Sequence, residues 1–306
     1  MEENTKYLIV VAGPTASGKT TLAIELAQHF AAEILSCDSR QFFKETTLGT
    51  AKPNAEELAA AVHHFVDCLS ITEAYNIGDY ERDVLSFLET YYQKNNVAIM
   101  VGGSGMYIRA VCDGLDVYPT VDENIRVQLN ELLEKEGIEA LQEELKVADP
   151  IYYSKVDVSN PHRLIRALEI FRGTGEPFSS FQGKNKVQRP FKVIKLGIDW
   201  ERSELYDRIN RRVDLMLEAG LLEEAKALYP QRALNALQTV GYREFFDYFD
   251  AKISLEEAIM LVKRNTRRYA KRQLTWLRKD TNLHWIKPET SGAEVIDFLK
   301  TMINPS

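Results

Sequence analysis

Three short apolar runs, each closing on a small or acidic turn and each followed by helical spacing, organise the first 115 residues. Tyr7-Leu-Ile-Val-Val-Ala12 is strand-like, and Leu22, Leu26 and Phe30 then recur at the spacing of an amphipathic helix. Residues 32–37, AEILSC, form a second run that ends at Asp38-Ser39. Residues 96–101, NVAIMV, form a third that ends in Gly102-Gly103-Ser104-Gly105. Helical material lies between them, including 79–94. This alternation predicts an α/β fold with a parallel sheet flanked by helices. Ligands of such sheets sit beyond the carboxyl ends of the strands. The segments 13–20, Asp38 and 102–104 are therefore expected to converge on one cleft.

The texture changes near Tyr118. Residues 123–146 are Leu- and Glu-rich and helical, with a stop at Asp149-Pro150. Asn160-Pro161 opens another helix, with proline at the first helical position. Residues 178–190 read as a loop. The pattern predicts an all-helical insertion over 118–189 within a core made of 1–117 and 190–306. Residues 191–200 alternate like a strand that returns to the sheet. Ser203 is expected to cap a helix bearing Leu205, Ile209, Val213 and Leu217 that stops at Gly220. Ser254 with Glu257 predicts a capping box for a last long helix.

At 45% hydrophobic and 27% charged residues over 306 positions, the composition is that of a soluble globular protein. No apolar run approaches a membrane span, so no membrane partner is expected. The first residues, MEENTKYLIVV, lack a secretory pattern. Cys37, Cys68 and Cys112 form no C-x-x-C pair, and a reducing cytoplasm is the expected location. Net charge is −7, yet 263–279 carries eight basic residues and no acidic one. That local footprint suits a polyanion, against the plainer reading of a solvated helix face. Trp276 and Tyr269 within it read as core residues on the inner face rather than base-stacking platforms.

Residues 13–20, GPTASGKT, fit G-x-x-x-x-G-K-[ST], the loop that wraps phosphates with backbone amides and a lysine at a helix N-terminus. Gly13, Thr15, Ala16, Ser17 and Gly18 would line that loop. Lys19 would hold the phosphates and the Thr20 hydroxyl a Mg²⁺ ion. The motif leaves open whether phosphate is transferred, hydrolysed or expelled. Asp38, at a strand end beside it, has three readings: general base, magnesium contact or helix N-cap. The IMVGGS strand end lacks the carboxylate that nucleotide hydrolases often place there. Arg208 and Arg212, four apart on one helix face, are candidate phosphate clamps, or else surface partners of Asp207 or Glu204. His63-His64 does not read as a metal pair, because adjacent residues do not share a helix face and no further ligand lies at suitable spacing.

Seven segments in order carry a resemblance: GPTASGKT; DSRQ leading to GTAKP at 49–53; HHFVD at 63–67; GGSGMYIRA at 102–110; NPHRLIRALEIF at 160–171; QTVGYREF at 238–245; and KRQLTWLR at 271–278. Together they resemble the bacterial tRNA dimethylallyltransferase family. The resemblance implies a P-loop NTPase-like fold and transfer of a dimethylallyl group from dimethylallyl diphosphate to N6 of adenosine 37 of tRNAs reading codons that start with U. It implies that Asp38 accepts the N6 proton and that Lys19, Thr20 and Arg212 hold the diphosphate with Mg²⁺. It also implies tRNA contact at Asp38, Ser39, Arg40, Gln41, Ser104, Arg126, His162, Arg163, Arg166, Gln238, Gly241, Tyr242 and Arg243. The partner is the anticodon stem-loop, and a monomer is the expected working form. Ser104, Phe43 and Thr46-Thr47 depart from the residues the family more often has. A P-loop nucleotide kinase, or an isopentenyltransferase acting on free adenine nucleotides, is the competing expectation.

Overall fold

A computed structural model of the chain describes residues 5–183 and 187–303. The first four residues of the N-terminal segment, and 184–186 of the loop expected over 178–190, lie outside the described residues. Two compact units are present: Met1–Cys112 with Arg189–Ser306, and Asp113–Gln188.

The first unit is built on strands β1 (Tyr7–Ala12), β2 (Ile34–Ser36), β3 (His63–His64), β4 (Val97–Gly102), β5 (Lys192–Ile198) and β6 (Leu283–Ile286). They form one parallel sheet in the order β3-β2-β4-β1-β5-β6, so the strand before GPTASGKT lies centrally. All six residues of β1 are buried, and they alternate between two layers. Leu8 and Val10 join Met100, Tyr80, Val84 and Leu88 on one face. Ile9 and Val11 join Leu22, Leu26, Ile99, Leu196, Val295 and Leu299 on the other. A strand covered on both faces must be apolar at every position, which is why β1 reads as an unbroken run.

The helices of this unit are α1 (Lys19–Phe30), α2 (Ala55–Ala60), α3 (Ile77–Tyr91) and α4 (Gly105–Asp113). The second unit holds α5 (Glu123–Glu136), α6 (Ile138–Ala148), α7 (Pro150–Tyr153) and α8 (Pro161–Thr174). After β5 come α9 (Arg202–Glu218), α10 (Leu221–Leu228), α11 (Arg243–Phe249), α12 (Leu255–Leu277) and α13 (Gly292–Ile303). Each strand-to-strand step except β2 to β3 contains a helix of at least nine residues, as parallel pairing requires. No helix among the described residues is long and apolar enough to cross a membrane.

Several local expectations change. The second strand is Ile34–Ser36, shorter than 32–37. Gly137, at φ 81°, divides the helical run into α5 and α6, since the left-handed backbone there ends one helix and admits the next. Asp149 starts a helix as well as ending one: its carboxylate accepts from Tyr152 N at 2.9 Å, with Pro150 in the first turn. The cap of α9 is Glu201, whose carboxylate accepts from Ser203 N at 2.7 Å, and Ser203 lies inside the helix. Of the box expected at α12, Ser254 Oγ accepts from Glu257 N at 3.1 Å. Asn160 caps α8, accepting from His162 N at 3.1 Å, with Pro161 first in the helix.

In the second unit Leu129, Leu141, Leu145, Leu164 and Leu168 form a separate core. Arg126 and Arg166 both donate to the buried Glu169, Arg126 through two bonds of 3.1 and 2.7 Å and Arg166 at 2.9 Å. The two guanidiniums hold the Glu169 carboxyl below its ordinary value against the opposing effect of burial. Both arginines remain partly exposed, and Arg166 also lies over the Tyr118 ring. His162 and Arg163 are exposed in the first turn of α8.

Candidate active site

The phosphate loop runs from the end of β1 into α1. Gly18, at φ 88°, is the residue before α1, and Ala16 also takes positive φ, at 64°. Gly18 adopts this conformation freely and Ala16 at a cost, which the surrounding contacts offset. Gly13 packs against Ser17: a Cβ on Gly13 would come within 2.6 Å of Ser17 Oγ. That hydroxyl is buried and has no hydrogen-bond partner among the described residues. Trp200 Nε1 donates to Ser17 O (2.8 Å), Arg208 Nε donates to Ala16 O (2.8 Å), and the Arg208 guanidinium lies 4.3 Å above the Trp200 ring. The back of the loop is thus tied to β5 and α9, leaving the start of α1 facing a cleft.

That cleft has two adjoining parts. The first, about 320 Å³, is lined by 15–21, Asp38, Arg208, Arg211 and Arg212. The second, about 350 Å³, is lined by Ser39, Arg40, Gln238, Gly241, Arg243, Tyr269 and Gln273, among others. Thr15, Lys19, Asp38, Thr50, Ala51 and Arg212 border both. The convergence expected at the strand ends is therefore present for the phosphate loop, Asp38 and Gly102.

At the shared wall two cations face one carboxylate. Burial lowers Lys19 to about 8, and the opposing attraction of Asp38 offsets only part of this. Burial likewise lowers Arg212, again against Asp38. Lys19 and Arg212, half-buried beside Asp38 with Glu57 further along the first part of the cleft, are only partly compensated, the state that an incoming polyanion relieves. Arg212 donates at 3.4 Å to Thr15 Oγ1 and to Ala51 O. No ion pair of Arg208 or Arg212 with Asp207 or Glu204 is present among the described residues; Arg208 braces the loop through Ala16 O, and Arg212 borders both parts of the cleft. Thr20 borders the first part of the cleft.

Asp38 is not a helix N-cap. No helix follows it; its Oδ1 accepts from Arg40 N at 3.0 Å within a turn, leaving its second oxygen for the cleft. Arg40 itself donates to Asn235 O and Ala236 O, and Gln41 to Thr50 O and Ala51 O, which fixes the turn against 235–236 on one side and the 46–51 loop on the other. Glu224 completes that loop by accepting from Thr47 N, Leu48 N and Gly49 N at 2.8–3.1 Å and from the Tyr242 hydroxyl at 2.6 Å. Tyr242 is completely buried, and its ring fills the space where a Gly49 side chain would lie. The contact expected of Tyr242 with RNA thus gives way to packing, while Gln238 and Arg243 on either side stay exposed.

Tyr269 is the other reversal. It lines the second part of the cleft and is half-buried, so it is a wall residue and not part of the core. Trp276 packs as expected, close against Gly105. The His63-His64 pair is the sheet edge: His63 Nδ1 bonds Ala61 O at 2.8 Å and His64 Nε2 bonds Glu33 at 2.6 Å. Gln273 had no role assigned from sequence. It is buried, its Oε1 accepts from Thr15 N at 3.0 Å, and its Nε2 donates to Gly103 O at 3.1 Å.

Comparison with known proteins places this geometry. The sequence model of one family, IPP transferase, matches residues 41–280. The chain belongs to the IPP transferase family. Among IPP transferase relatives, the tRNA dimethylallyltransferase of Christiangramia forsetii is 55% identical over 97% of this chain and 99% of its own. That of Flavobacterium johnsoniae is 50% identical over 96% and 97%. The crystal structure of a tRNA isopentenylpyrophosphate transferase from Bacillus halodurans is similar with a TM-score of 0.71, at 36% identity over 97% of this chain and 95% of that one. A eukaryotic dimethylallyltransferase captured acting on tRNA has a TM-score of 0.82 at 26% identity, over 98% and 80%. The IPP transferase match spans both units, including the arginines around Glu169.

Proposed function

We propose that this IPP transferase moves a dimethylallyl group from dimethylallyl diphosphate to N6 of adenosine 37, beside the anticodon of tRNAs reading codons that start with U. The observation that carries the reading is the shared wall. An anion-binding space and a space walled by Tyr269, Arg40 and Gln238 meet at Lys19, Arg212 and Asp38.

The N6 lone pair attacks C1 of the donor, the C1–O bond breaks, and diphosphate departs with the bonding pair. The N6 proton passes to Asp38, whose second oxygen is not engaged by Arg40 N. The amine is a weak nucleophile, so the barrier falls chiefly through stabilising the departing charge. Lys19, Arg212 and the amides at the start of α1 are fixed before the reaction and aimed where that charge develops. Arg208 holds the loop from behind through Ala16 O. A magnesium ion fits this site as a companion of the diphosphate. Thr20 would hold it, Asp38 borders the same space, and no cluster of three His, Cys, Asp or Glu exists among the described residues to bind it without phosphate. Bound there, it would supply further neutralisation of the leaving group. The base must leave its stack to reach Asp38, and a single-stranded loop permits this at least cost. The 118–189 insertion and the basic face of α12 are the surfaces we assign to the stem-loop, with the protein acting as a cytoplasmic monomer.

The test is incubation with labelled dimethylallyl diphosphate and magnesium, offering an unmodified anticodon stem-loop or AMP. Label in the RNA is the expected result. Label in AMP alone would transfer the reading to free nucleotides, and ATP turnover without label would transfer it to a kinase.

A further inference from the structure

Gln273 stands 258 residues from Thr15 in the chain, yet its side chain closes a bridge across the cleft floor. Its carbonyl oxygen takes Thr15 N and its amide nitrogen gives to Gly103 O. A Cβ on Gly103 would fall on Gln273 Nε2 and within 2.7 Å of Gly13 O, so the glycine after β4 leaves the room this amide occupies. Thr15 N is one of the amides of the phosphate loop, and Thr15 Oγ1 in turn receives Arg212. Thr266, Tyr269 and Gln273 sit at i, i+3 and i+7 on α12, and all three border the second part of the cleft. One helix therefore walls the acceptor space and holds the donor loop through a single side chain.

We propose that Gln273 is a positioning residue for the donor. It fixes the first limb of the phosphate loop, and with it Arg212, in the arrangement that binds diphosphate, and it makes that arrangement depend on the seating of α12. This rests on the transferase reading above and extends it to a residue that acts on the donor through Thr15. Only an amide satisfies both ends of the bridge. A carboxylate would face Thr15 N correctly but set a negative oxygen against Gly103 O, and a protonated carboxyl would restore a donor at that end.

The experiment measures binding of inorganic diphosphate with magnesium by calorimetry to the native protein, Gln273→Ala and Gln273→Glu, at pH 8 and pH 5.5. Dimethylallyl transfer to a stem-loop is assayed in parallel. Gln273→Ala should bind diphosphate about tenfold more weakly at both pH values, the scale of one lost buried hydrogen bond. Gln273→Glu should be as weak at pH 8 and recover toward the native value at pH 5.5. A merely structural glutamine would give two variants with the same ratio to native at both pH values. That result, or native diphosphate affinity in Gln273→Ala, overturns the proposal. Failure of the native protein to transfer the label would instead overturn the transferase reading.

Discussion

Replacing Lys19 by methionine should make the ligand-free protein more stable while abolishing its hold on diphosphate. The Lys19 ammonium is enclosed beside Arg212, and burial lowers it from 10.5 to about 8. That difference corresponds to about 3 kcal/mol of penalty for keeping the charge in the folded state. The cleft is open to solvent, so we take about 2 kcal/mol as the working figure. The sign follows from proton binding. Below pH 8 the lysine is charged in both states and the whole penalty is present. Between 8 and 10.5 the unfolded chain holds more protons than the folded one, so stability rises with pH across that window. Lys19→Met removes the penalty at every pH. Urea titrations of both proteins at pH 7 and pH 10 should show the variant ahead by about 2 kcal/mol at pH 7, with the lead cut to below about 1 kcal/mol at pH 10. Diphosphate binding runs the opposite way: native affinity should fall above pH 8, by at most tenfold per unit, and the variant should show little affinity at any pH. A variant less stable than native at pH 7, or one whose lead persists unchanged at pH 10, would refute the assignment of the penalty to this ammonium.

Asp38→Asn should bind the stem-loop normally and lower the single-turnover transfer rate by about 10²–10⁴, the scale of a lost proton acceptor; a rate within threefold of native would leave Asp38 as a turn residue only. Gly103→Ala should weaken diphosphate binding and cost about 1–3 kcal/mol of stability in urea, because the added methyl meets Gly13 O and the Gln273 amide; native values for both would show that the bridge can shift aside. Lys195, buried in β5, pairs with Asp280 at 2.8 Å just beyond α12. Lys195→Met alone should lose about 3–5 kcal/mol by chemical denaturation, and the double change Lys195→Met with Asp280→Leu should regain most of it; an equal loss in both would assign the effect to packing.

The sheet and the phosphate loop were readable in the sequence because their determinants are local. β1 is apolar at every position since both of its faces are covered, and GPTASGKT states its own backbone geometry. The seven ordered motifs carried the family, and with it the placing of Asp38 and Arg212 near the loop. What escaped depends on distant partners. Nothing near Gln273 announces a bond to Thr15, and nothing near Glu224 announces three amides of the 47–49 segment. Tyr269 was assigned to the core because a helix face lining a cleft carries the same inward pattern as one lining a core. Tyr242 failed in the other direction: a tyrosine in a polar motif is completely enclosed, its hydroxyl satisfied by Glu224. The α9 cap moved to Glu201 because its longer carboxylate reaches Ser203 N, a geometry that the usual preference for serine caps does not anticipate.

If the transfer proposed above is right, the wall common to the two cavities would set a limit on donor size. With its phosphates seated at the start of α1, a donor has its reactive carbon at the threshold formed by Lys19, Asp38 and Arg212, and whatever hydrocarbon follows extends into the neighbouring chamber. Under the proposed transfer, donor hydrocarbon and nucleobase would share that chamber of about 350 Å³, so a longer donor would compete with the base for it. Chain-length selectivity then needs no dedicated gauge, because an oversized donor and the adenine would exclude one another.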